Sequence, residues 1–90
     1  MRFAIETAKA VLEERLSPGE GATAVRLQAE QVIPLLRSDR DSVTRSESET
    51  VATQLRLLAE QVNDRGSGLA DTHDYTVMAR SLGEMAQALR

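Results

Sequence analysis

In four separate segments of this chain, apolar residues recur at alternating spacings of three and four, the period that keeps one stripe of an α-helix on one side. No credible strand interrupts them. The first segment, about residues 2–16, carries Ile5, Ala8 and Leu12, widened by Val11 and Leu16. In "SPGE" that follows, Ser17 suits an N-cap, Pro18 the first helical position and Glu20 the third residue of a capping box. The second segment, about 18–37, has the stripe Ala22, Val25, Ala29, Val32 and Leu36, with Ile33 beside it. Pro34 lies within it and removes the hydrogen bond to the Glu30 carbonyl, so a kink or an early stop is expected there.

The polar run "RSDRDSVTRSES", residues 37–48, reads as a loop ending in overlapping caps, Thr44 with Glu47 or Ser46 with Glu49. The third segment, about 45–65, aligns Val51, Leu55, Leu58 and Val62, and Gly66 is placed to close it in the left-handed conformation. After "GSG", Asp71 is the expected N-cap of a fourth helix, about 71–89, with the stripe Tyr75, Met78, Leu82, Met85 and Leu89. Short connections make helices antiparallel neighbours. The prediction is one all-α domain over residues 1–90, a small antiparallel four-helix bundle. The alternative is a three-helix core with a loosely packed N-terminal helix, because that segment is rich in alanine.

Ninety residues bury roughly 60–65% of the unfolded surface, which leaves little room for a deep substrate cavity. Phe3 and Tyr75 are the only aromatic residues, too few to stack bases. The net charge of −3 comes from interspersed Arg, Asp and Glu without a basic run, which disfavours direct nucleic-acid binding. Cysteine is absent, so disulfides and thiolate chemistry are excluded. No stretch approaches 18 apolar residues, and Glu6, Glu13 and Glu14 interrupt what would be a signal peptide. No membrane association is expected, and the expected location is the cytoplasm.

Chemistry is sparse. His73, in "DTHDY", stands near Asp71 and Asp74, yet a capping Asp71 turns back to the backbone and His73 leaves the helix on a different side from Asp74. Metal binding is not expected. Adjacent acids such as Glu13 and Glu14 diverge on a helix, and the glycines do not form a phosphate cradle. No catalytic residue, cofactor site or enzyme activity is predicted.

"RLQAEQV" (26–32) returns thirty positions later as "RLLAEQV" (56–62). Its residues are strong helix formers, and shared helical constraint accounts for the match better than duplication of a functional motif. Leu27 and Leu57 are equivalent in this repeat and, like Val77, point away from the predicted core. Their convergence on one patch would mark a partner or self-association surface. Ala79, Gly83 and Ala86 form a second candidate, a small-residue shoulder where another backbone could approach closely. The function expected is a small non-enzymatic protein-interaction or adaptor module using an exposed helix face, with self-association as one form. The alternative is a phage-type or regulatory inhibitor that binds a larger nucleic-acid-processing complex. A helix-turn-helix DNA binder is the third reading, weakened by Glu20, Asp71 and Asp74 at the helix starts.

Overall fold

A computed structural model describes residues 2–38 and 45–89. Four helices follow in order: α1 (Arg2–Leu12), α2 (Pro18–Ser38), α3 (Arg45–Gly66) and α4 (Thr72–Ala88). There is no strand among the described residues. Residues 39–44, including the Thr44 cap, lie outside them. Ser46 falls inside the first turn of α3.

Three local contacts set the directions of the helices. Gly21 at the start of α2 sits against Val11 at the end of α1 and against Met78 of α4. Gly66 at the end of α3 sits against Tyr75 at the start of α4. The Arg65 guanidinium at the end of α3 donates to the Leu12 carbonyl at the end of α1 over 2.8 Å. All these termini therefore share one end of the molecule. The chain runs up, down, up, down, with α1 and α2 antiparallel and α3 and α4 antiparallel.

The two hairpins pack so that α4 lies along both α3 and α2, and α1 along both α2 and α3. The pairs α2/α3 and α1/α4 barely touch, so each is diagonal across the bundle. Like-directed helices are neighbours: α2 beside α4 and α1 beside α3. The core joins Val11, Val25, Leu55, Val62, Met78, Leu82 and Met85, all essentially inaccessible to water. With only Tyr75 as a buried aromatic, it is an aliphatic and thioether core. Methionine fills the irregular gaps between four helices of unequal length.

Several expectations need correction. α1 ends at Leu12, not near residue 16. Its carbonyls are closed by an Arg15 N–H bond to Ala10 (2.8 Å) and a Glu14 N–H bond to Val11 (3.1 Å). Glu14 takes the left-handed conformation, φ 63°, that glycine normally supplies in this C-terminal motif. The stripe of α1 is also turned: Ala4, Thr7, Ala8 and Val11 are buried, and Ile5 and Leu12 flank them half-buried. α1 is packed through residues of zero exposure, Ala4 and Ala8, which removes the alternative of a loose N-terminal helix. Pro34 does not stop α2, which continues to Ser38.

The caps divide in the same way. Ser17 Oγ accepts the Glu20 N–H at 3.3 Å, as expected of an N-cap. Asp71 precedes α4 but makes no side-chain capping bond. Thr72 instead ties the α3–α4 corner by donating from its hydroxyl to the Gly66 carbonyl. Gly66 is helical and is needed for close approach to Tyr75; the positive φ of this corner belongs to Gly68, at 80°.

Candidate functional site

The surface residues singled out from the sequence do not form one patch. Leu27 is 46% exposed and Leu57 is 53% exposed, each about half a turn from the buried stripe of its helix. Because α2 and α3 are diagonal, these leucines face opposite sides of the molecule. The shoulder on α4 divides as well. Ala86 is buried at 2% exposure, so it is a core residue and not a surface contact. Ala79 packs half-buried against the core. Gly83 is half-buried, and a methyl group built on it would meet nothing within 4 Å. No helix of this chain uses the close approach that Gly83 would permit.

Val77 is different. It lines an open groove of about 670 Å³ running between α2 and α4. The apolar floor comes from Ala29 and Ile33 of α2 and from Val77 and Ala88 of α4, with Ser81 between them. Arg26, Glu30 and Arg37 rise from α2, and Arg80 and Glu84 from α4. Arg26 and Glu30 are 3.7 Å apart, with side chains 57% and 58% exposed. Such a solvated pair contributes less than about 1 kcal/mol to folding.

The rim is ordered in bands. Gly19 in the first turn of α2 sits beside the Asp74 carboxylate in the first turn of α4. Counted from that shared start, Arg26 lies level with Arg80, and Glu30 with Glu84, to within about one residue's rise of roughly 1.5 Å. A basic band therefore crosses both helices, followed one turn later by an acidic band. The sequence carries the pattern as "RLQAE" (26–30) and "RSLGE" (80–84), the same Arg-to-Glu spacing on two helices. Spacing alone does not bring them together; that requires α2 and α4 to be parallel neighbours.

The repeated heptapeptide places Arg26–Val32 on α2 and Arg56–Val62 on α3. These are the second helix of one hairpin and the first of the other. Copying a whole hairpin would match α1 with α3 or α2 with α4, so this repeat is not that kind of duplication.

At the end of the bundle where α1 and α3 finish and α2 and α4 begin, the fold gathers Glu13, Glu14, Glu20, Asp64, Asp71 and Asp74. Six carboxylates against three cations, Lys9 in the last turn of α1 with Arg15 and Arg65, leave a surplus of three negative charges, as large as the net −3 of the whole chain. Glu13 pairs with Arg15 at 3.1 Å and Glu14 with Arg65 at 3.5 Å, all well exposed to water. His73 is exposed beside this end, and among the described residues no three His, Asp or Glu side chains are placed to hold a metal ion. No described helix is long and apolar enough to cross a membrane. Compared with known families, curated proteins and solved structures, the chain matches none.

Proposed function

We propose that this chain is a small non-enzymatic protein-interaction module that docks through its α2–α4 face. One observation carries the reading: the groove combines an apolar floor with a rim of solvated, mixed charges. An apolar centre inside a polar rim is the general anatomy of a protein–protein contact surface. Val77 is the residue of the sequence reading that belongs to this face; Leu27 and Leu57 are isolated exposed leucines of a kind that needs no partner.

A second reading, a regulatory inhibitor that engages the basic surface of a nucleic-acid-processing complex, draws on the acidic end. The sequence disperses the acids, whereas the topology concentrates them. The same feature argues against helix-turn-helix recognition, because both helix starts at that end bring carboxylates towards phosphate.

Site-specific photo-crosslinking in the native cell separates these readings. With the crosslinker at Pro34 or Glu84, the docking reading expects a discrete adduct with a polypeptide, absent from the same probe at Leu57. An adduct formed only from Glu20 or Asp71 would favour the inhibitor reading. Equal labelling from every position, or none from any, would contradict both.

A further inference from the structure

We propose that the occupant of the α2–α4 face is a second copy of this chain, turned about a two-fold axis that crosses α2 and α4 at right angles between the two charge bands. This deepens the docking reading above and rests on it. A two-fold contact requires a surface complementary to itself. Along both helices the face offers arginine and then, four residues later, glutamate: Arg26 and Glu30 on α2, Arg80 and Glu84 on α4. An axis between the bands sets α2 antiparallel to the partner's α2 and α4 antiparallel to the partner's α4. Each arginine then meets a glutamate of the other copy, on both helices and in both directions.

The floor agrees with that placement. The axis passes near Ala29 and Ser81 on the groove floor, which place no bulky side chain at the centre of the contact, so the rims can meet. Ile33 and Val77 lie on opposite sides of the axis at similar distances, so Ile33 of one copy comes level with Val77 of the other across the groove. The molecule measures 41 × 20 × 19 Å. In outline its long face leaves room for the antiparallel partner to lie along both helices. Neither Arg80 nor Glu84 is held in an ion pair among the described residues. Parallel stacking of the same faces would oppose Arg26 to arginine and Glu30 to glutamate, so the charges select the antiparallel arrangement.

Sedimentation equilibrium on the full chain and on two charge reversals tests this. The wild type is expected to dimerise reversibly at micromolar to submillimolar concentration. Arg80→Glu and Glu84→Arg each place like charges across the axis and should weaken their own dimer by about tenfold or more. The two single variants mixed together, and the double variant R80E/E84R, should recover wild-type association, since opposite charges face each other again. Both substituted positions, 80 and 84, are exposed, and circular dichroism checks that the variants keep their helices. A wild type that stays monomeric at about 1 mM overturns the two-fold inference and leaves the docking reading to its own crosslinking test. A dimer that the single reversals do not weaken, or that the mixture does not restore, also overturns it.

Discussion

Three glycines of the same composition class do different work, and only the packing around each reveals it. At Gly66 an added methyl would lie 2.3 Å from Tyr75 Cβ and 2.6 Å from its Cγ, atoms fixed close to the α4 backbone. At Gly21 the nearest atoms are a methyl of Val11, buried and stiff at χ1, and the sulfur of the flexible Met78 side chain. At Gly83 there is open space. Gly66→Ala should therefore cost about 2 kcal/mol or more through displacement of α4, whereas Gly83→Ala should stabilise the helix by up to about 1 kcal/mol. Chemical denaturation of both variants checks the opposite signs. A Gly66→Ala protein as stable as the wild type would mean that the α3–α4 corner is not packed as described. The sequence marked Gly66 as special for the wrong reason: a glycine after a periodic stretch reads equally as a left-handed terminator or as a contact point. The backbone of the next helix decides between them.

At the scale of elements, α3 and α4 were legible because large apolar residues define their stripes, Leu55, Leu58 and Val62 on one and Met78, Leu82 and Met85 on the other, whereas on α2 only Ala22, Val25 and Ala29 of the expected stripe are buried and Val32 and Leu36 stay half-exposed. α1 was legible as a helix but not in its phase. Its larger apolar residues, Ile5 and Leu12, sit at the edge of the seam, while Ala4 and Ala8 occupy the centre because α1 nestles between α2 and α3. Hydrophobicity ranks leucine above alanine; close helix approach reverses that order. Its end is not legible either, since the closure uses Glu14 in a conformation that sequence rules reserve for glycine, held beside an Arg65 that lies 51 residues away. This short helix is integral to the fold. A chain starting at Ser17 should lose several kcal/mol of stability and its cooperative thermal transition, because it loses the core residues Ala4, Ala8 and Val11. A truncated chain that melts like the full one would restore the three-helix alternative.

For the whole molecule, the decisive quantity is the arrangement of the hairpins, which no local pattern in the chain encodes. Periodicity shows that each helix buries one side, and short connections show which neighbours are antiparallel. Neither states that α2 lies beside α4 and diagonal to α3. A shared patch would need Leu27 and Leu57 to meet, and the diagonal placement of α2 and α3 separates them. Arg26, Glu30, Arg80 and Glu84 carried no signal as a group until the same arrangement placed them level, and the acidic end emerges from that topology as well. Both the groove and the charge asymmetry therefore depend on α2 running parallel to α4 with their starts together. Nuclear Overhauser contacts of the Met78 methyl group test this in one experiment. The account predicts that this methyl sees Gly21 and Val11, at the start of α2 and the end of α1. Contacts from Met78 to Val32 or Ile33 in their place would reverse α2 against α4 and contradict both surfaces.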